Sequence, residues 1–174
     1  AAQVCFLPYD AENCEITIVE NALAYTEKAT EPPTIYEQAV AMDFSDANNL
    51  PNYCPACGAT EGVTWTALTS AVGGQQIQGH YYLADETVDI GGTHITVGTA
   101  NGQMLCINLN GKTLTGGNGN GIFSMRKCVL NVMGDGTVTG GASANRVFNT
   151  NAGTINLYGG TYGVTSGRVV WSQS

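Results

Sequence analysis

Charge is scarce in this chain of 174 residues, and positive charge most of all: 6 lysines and arginines stand against 14 aspartates and glutamates, a formal charge of −8. A surface so poor in cations cannot displace counterions from phosphates, which argues against nucleic acid as a partner. Long apolar runs are missing too. No stretch approaches the roughly 18–20 apolar residues that cross a bilayer as a helix, so no membrane span is expected. No signal peptide is recognisable, and the opening Ala1-Ala2-Gln3 suits an N-terminus left by cleavage after small residues. What charge does not occupy, apolar residues and glycine do. At 43% hydrophobic with 23 glycines, the chain has the material for a packed core and not the composition of a disordered one.

The glycines belong to a repeat. Three segments, 106–117 (CINLNGKTLTGG), 129–141 (VLNVMGDGTVTGG) and 154–163 (TINLYGGTYG), carry one pattern. Ile107, Leu130 and Ile155 recur at a nearly constant spacing, and Leu114, Val138 and Tyr162 at an equal one. A period of about 24 residues marks stacked units, none of which can bury its apolar face without neighbours. Within each unit apolar residues alternate with Asn or Thr, the period of strands. The expected fold is all-β: a short right-handed parallel β-solenoid of about four coils over residues 78–174, behind a small N-terminal cap region over 1–77. Coil one is a degraded copy from Gly79, and coils two to four are 104–125, 128–149 and 154–171. Third strands around Ile122-Phe123, Val147-Phe148 and Val169-Val170 give a triangular section. Ile107, Leu130, Ile155, Leu114, Val138 and Tyr162 are the expected core ladder. Asn108, Asn131 and Asn156 are expected to face outward as an amide ladder, with a threonine ladder from Thr113, Thr115, Thr137 and Thr139 on the next face.

Six cysteines, an even number, suit an oxidising compartment. Val4–Leu7 and Ile16–Val19 read as a hairpin, with Cys5 and Cys14 flanking its turn. Glu31-Pro32-Pro33 breaks regular structure, and Thr34-Ile35-Tyr36-Glu37 has the form of a capping box opening a helix to about Asp43. Cys54-Pro55-Ala56-Cys57-Gly58 is the chemically richest motif. It reads either as structural disulfides, local or to Cys5 and Cys14, or as half of a zinc site completed by those two thiols. A thioredoxin-like redox role lacks its βαβ surroundings. Val63–Leu68 is strand-like. Cys106 and Cys128, one coil apart, are either a cross-coil disulfide or two buried free thiols.

This layout resembles the right-handed parallel β-helix repeats of secreted and surface-anchored bacterial proteins. The resemblance runs from about Cys54 to Trp171. It is carried by Cys54-Pro55-Ala56-Cys57-Gly58, Val63-Thr64-Trp65-Thr66-Ala67-Leu68, Gly79-His80-Tyr81-Tyr82-Leu83 and Asn108-Leu109-Asn110-Gly111-Lys112-Thr113-Leu114-Thr115-Gly116. It implies a non-catalytic scaffold at a bacterial cell surface. β-Helices also carry polysaccharide lyases and hydrolases, which need clustered acids or a carboxylate pair. Here Asp135 sits alone in a Gly-Asp-Gly corner, Asp85, Glu86 and Asp89 read as a solvated face, and His80 and His94 have no partner at a recognisable spacing. No enzyme is expected.

The charge is split along the chain. Residues 1–100 carry 13 acids and 1 base, net −12, and residues 101–174 carry 1 acid and 5 bases, net +4. Unlike ends attract, and the last coil closes on no helix or polar strand. Arg168, Val170 and Trp171 therefore form an expected assembly end, covered by an N-terminal strand of the next copy, and the expected function is an extracellular filament or surface layer built head to tail. The alternative is a glycan-binding or adhesion module of a larger surface protein, with Tyr81, Tyr82 and Tyr158 as stacking candidates.

Overall fold

The structure, a computed structural model, describes residues 14–19, 22–27, 31–98 and 100–173, and divides into two units, Ala1–Pro33 and Thr34–Ser174. The first holds β1 (Cys14–Val19) and β2 (Ala22–Glu27), paired antiparallel with Val19 opposite Ala22. The expected strand over Ile16–Val19 is present, but its partner follows it in sequence. The other half of the expected hairpin, Val4–Leu7, and Cys5 lie outside the described residues.

The second unit is a parallel β-solenoid. Its strands are β3 (Trp65–Leu68), β4 (Gln76–Ile77), β5 (Gly79–Leu83), β6 (Thr87–Asp89), β7 (Ile95–Val97), β8 (Met104–Asn108), β9 (Lys112–Gly116), β10 (Phe123–Arg126), β11 (Val129–Met133), β12 (Gly136–Gly140), β13 (Arg146–Asn151), β14 (Thr154–Tyr158), β15 (Thr161–Gly163) and β16 (Arg168–Gln173). They form three walls, ordered β14-β11-β8-β5-β3, β15-β12-β9-β6 and β16-β13-β10-β7-β4. Every third strand returns to the same wall, so β5–β7, β8–β10, β11–β13 and β14–β16 are four complete coils. Before them β3 and β4 make a partial coil that skips the second wall. The stack therefore begins at Trp65, ahead of position 78, because Thr66 and Leu68 pair with Tyr81 and Leu83 and extend the same columns.

Alternation fills the tube. In the second wall Val88, Leu114, Val138 and Tyr162 stack in register, as the repeat requires. In the third, Ile95, Phe123, Phe148 and Val170 stack, with the two phenyl rings nearly parallel at 5.7 Å. In the first wall the register differs from the expected one by two positions. Leu130 pairs with Ile155 but also with Leu105, while Ile107 lies against Val132 and Tyr81. Leu105-Cys106-Ile107-Asn108-Leu109 alternates twice over, and a slip of two keeps every side chain on its own face, so the pattern fits both alignments equally. The coil is one position longer in this wall than in the second: Met133 lies opposite Asn108, whereas Val138 lies opposite Leu114.

The same shift breaks the asparagine ladder. Asn131 and Asn156 are paired and joined by a hydrogen bond from Asn156 Nδ2 to Asn131 Oδ1 at 2.8 Å. Asn108 instead lies beside Met133 and Tyr82. The threonine ladder is in place and longer than expected: Thr87, Thr113, Thr137 and Thr161 align, as do Thr115 and Thr139.

Corners between the third and first walls recur at Gly102, Lys127 and Ala152, each in the left-handed region with φ of 80°, 55° and 53°. One such residue turns the chain sharply, and the equal spacing of the three keeps the coils in phase. At the second-wall corner Gly136 has φ 138°, and a Cβ there would stand 2.6 Å from the Lys112 carbonyl of the coil before. Only glycine lets the coils approach so closely.

Residues 34–62 lie over the outer face of the first wall. Helix α1 (Ile35–Val40) opens on the expected capping box: Thr34 Oγ1 accepts from the Glu37 amide at 3.2 Å, and the Thr34 amide donates to Glu37 Oε2 at 2.7 Å. It ends at Ala41, short of Asp43. The outward side chains of the wall are thus buried by this cover, in a second core of Ala39, Met42, Phe44, Cys54, Trp65, Tyr82, Cys106 and Met133.

Leu130→Ala, in the middle of the tube, is expected to lower unfolding free energy by about 2–5 kcal/mol in denaturant titrations. Ile155→Ala, in the last coil, should cost clearly less. The hydrogen bonds from Thr34 hold the Glu37 carboxyl below its ordinary range. Its contribution to the helix is therefore present above the ordinary glutamate range and is lost as pH falls through the lowered value. Amide exchange over 35–40 should accelerate in that window, and Glu37→Gln should remove the pH dependence.

Candidate functional site

The outward column of the first wall runs Trp65, His80, Cys106, Asn131, Asn156 across five strands. Strand alternation aims all five away from the tube and toward the cover. Above His80 and Cys106 the cover forms a tight turn. The Cys54 amide donates to the Ala59 carbonyl at 2.7 Å, Gly58 takes φ 77°, and the Cys57 thiol lies 3.8 Å from the Cys54 carbonyl. The turn brings Cys54 Sγ and Cys57 Sγ to His80 and Cys106, and the four donor atoms all lie within 4.8 Å of one another. Cys57 Sγ and His80 Nε2 are 3.4 Å apart.

Aromatic rings and one amide enclose the cluster. Trp65 meets the His80 ring edge-on at 5.3 Å and donates through Nε1 to the Tyr53 carbonyl at 3.1 Å. Phe44 stacks on Tyr82 at 4.6 Å and meets Trp65 edge-on at 5.2 Å. Asn131 Nδ2 donates to Cys106 Sγ at 3.3 Å. Cys54 and Cys106 are fully buried. The thiols share protons unequally. A hydrogen bond from Cys106, opposed by burial and aided by Cys57 and His80, pulls Cys54 down to about 5. Burial pushes Cys57 up, and the bond to Cys54 together with burial pushes Cys106 up.

The sequence singled out Cys54 and Cys57 but completed the set with Cys5 and Cys14. Cys5 lies outside the described residues, and so does the side chain of Cys14. The partners the fold supplies are His80 and Cys106, one coil apart and both outward. Their separation, close to one repeat, was the available signal. Its meaning depended on knowing that the cover folds over this wall. Neither the local disulfide at Cys54 and Cys57 nor the Cys106–Cys128 bridge forms. Cys106 faces the cover, whereas Cys128 stands beside the inner core at a corner, donating to the Arg126 carbonyl at 3.0 Å. Cys54, Cys57, Cys106 and Cys128 are all free thiols.

The cover is pinned elsewhere by the residues that left the ladder. Asn108 Nδ2 donates to the Ala39 carbonyl at 2.9 Å, while Asn108 Oδ1 accepts from the Asn110 amide at 2.9 Å. The Tyr36 hydroxyl donates to Asp135 Oδ1 at 2.7 Å. Two other acids and the second histidine are engaged locally: Lys112 pairs with Glu86, Asp89 accepts from the Gly91 amide, and His94 Nδ1 meets Asn118 Nδ2. Tyr82 is buried against Phe44, while Tyr81 and Tyr158 are half-buried, Tyr81 packed on the inner core and Tyr158 on the second core.

The two ends of the tube differ. At the first, the partial coil crosses over the opening, and Leu68 and Ile77 are buried with Val72 packed on the core. At the other, β14, β15 and β16 each pair on one side alone among the described residues. Leu157 is 41% exposed and Val170 47%, although Val132 and Phe148, one coil earlier in the same columns, are fully buried. Trp171, on the last strand, stands in the outward column of Asn149, Ser124 and Thr96 and does not face the tube, with Arg146 and Arg168 at 5.0 and 4.8 Å from its ring. No helix among the described residues is long and apolar enough to cross a membrane. No protein-family model matches this chain, and neither the curated proteins nor the solved structures yield a match.

Phe44→Ala removes the ring that joins the cover to Trp65 and Tyr82 and is expected to cost about 3–5 kcal/mol locally. Limited proteolysis should then cut within residues 34–62 while the coils stay intact.

Proposed function

We propose that the protein is a non-catalytic structural subunit of a bacterial cell surface, assembling head to tail through the open last coil. The observation that carries this reading is the last coil among the described residues: Leu157 and Val170 are half-exposed there at positions that the two preceding coils bury. A solenoid end of this kind offers apolar interior and unpaired backbone groups together, and another strand satisfies both at once. The occupant is the acidic first unit of a second copy. Ala1–Pro33 carries 6 acids and 1 base, and among the described residues β1 and β2 pair only with each other. Arg146 and Arg168, gathered over Trp171 beside the open end, supply the opposite charge. Such a contact joins unlike surfaces and does not close, so it propagates as a filament or layer. Sparse lysine and abundant Thr, Asn and Gly suit the extracellular setting.

Sedimentation velocity and negative-stain imaging of the purified chain are expected to show elongated, concentration-dependent assemblies that shorten as salt rises. Leu157→Asp with Val170→Asp should return the protein to monomers without loss of secondary structure. Monomers alone from the unmodified chain at moderate salt would defeat the reading.

A further inference from the structure

We propose that Cys54, Cys57, His80 and Cys106 form a closed tetrahedral Zn²⁺ site whose role is to fasten residues 34–62 to two successive coils. The geometry is the first argument. Zn–S bonds of about 2.3 Å and Zn–N bonds of about 2.0–2.1 Å place tetrahedral donors about 3.8 Å (S to S) and about 3.6 Å (S to N) apart. The four donor atoms already lie within 4.8 Å of one another, and Cys57 Sγ and His80 Nε2 are at 3.4 Å. Small side-chain rotations close the set around one ion.

The composition of the cluster is the second argument. Three thiols make an odd number, so a disulfide between any two leaves the third thiol and the imidazole without a role. A metal uses all four. Thiolate and imidazole in a tetrahedron select zinc over Ca²⁺ or Mg²⁺, which take oxygen ligands in larger numbers. All four positions come from the protein and none is left for water, the arrangement of a structural site and not a hydrolytic one.

The surroundings are the third. Three thiolates around Zn²⁺ carry one net negative charge, and the Asn131 amide already donates to Cys106 Sγ, the kind of outer contact that orients and tunes a ligand. Asn131 is held in turn by Asn156, so the asparagine pair is a support for the site as much as a ladder. The edge of Trp65 covers the imidazole. Metal binding replaces thiol protons, which leave to solvent, and no electron is transferred.

The fold explains what the ion would do. His80 and Cys106 are paired on β5 and β8, while Cys54 and Cys57 belong to the cover. One ion therefore ties the cover to two coils, two residues along β8 from the Asn108 contact with the Ala39 carbonyl. Without it, the second core rests on apolar packing and a few hydrogen bonds.

The test uses the full chain. Zinc content by elemental mass spectrometry is expected at one ion per chain, and X-ray absorption of the unmodified protein should fit three sulfur and one nitrogen neighbours. Co²⁺ replacing zinc should show thiolate-to-metal charge-transfer bands. Asn131→Ala should weaken Zn²⁺ binding about 10–100-fold, Cys106→Ser and His80→Ala by more, and Cys128→Ser not at all. Chelation should speed hydrogen exchange over 34–62 while the coils stay protected. A non-reduced mass two hydrogens light, a Co²⁺ spectrum without thiolate bands, or equal exchange over 34–62 with and without Zn²⁺ would each overturn the proposal. The absorption measurement needs no variant, so a misfolded mutant does not blunt it. Its outcome is also independent of whether the open end assembles.

Discussion

Everything in the second unit depends on one constraint: each coil must sit over the last with its backbone hydrogen-bonded upward and downward and its apolar side chains in shared columns. From β8 onward the first wall repeats at an interval one position longer than the second, and the difference is absorbed at corners by glycines and a few left-handed residues. A single coil has almost no interior. Its burial is supplied by the coil before and the coil after, which is why Leu130 and Val138 are fully covered and Leu157 and Val170 are not.

The first wall carries a second burden. Its inner side chains fill the tube and its outer ones fill the core beneath residues 34–62, so the wall is apolar or hydrogen-bonded on both faces. That explains the presence of Asn108 and Asn131, which would be ordinary on a wet surface but here are buried and satisfied, one by the Ala39 carbonyl and the other by Asn156 and Cys106. It also explains why chemistry-bearing residues collect on this wall. The cover brings its own thiols to a place where successive coils present a histidine and a cysteine in register. The second wall, with its threonine columns and no cover, collects nothing of the kind among the described residues.

The asymmetry of the tube's ends and the asymmetry of charge point the same way. A partial coil seals the end nearest the acidic half of the chain, while the open end lies in the basic half beside Arg146 and Arg168. The proposed assembly and the proposed metal site use different parts of the molecule. The metal site would act on the flank of the second unit, and the assembly would use Leu157 and Val170 in the last coil.

The sequence by itself determined the local period, the coil length, the number of complete coils, the capping box at Thr34 and the threonine columns, because each follows from alternation and spacing within a few tens of residues. It could not choose between alignments of the first wall that differ by two positions, since Leu105-Cys106-Ile107-Asn108-Leu109 presents the same faces in both. Nor could it say that an outward side chain would be a buried one. Only the tertiary structure decided these, by laying residues 34–62 across the wall. The long-range contact turned an expected exposed asparagine ladder into a second core. It also turned Cys106 away from Cys128 and toward Cys54, Cys57 and His80, residues separated in sequence by up to two coils.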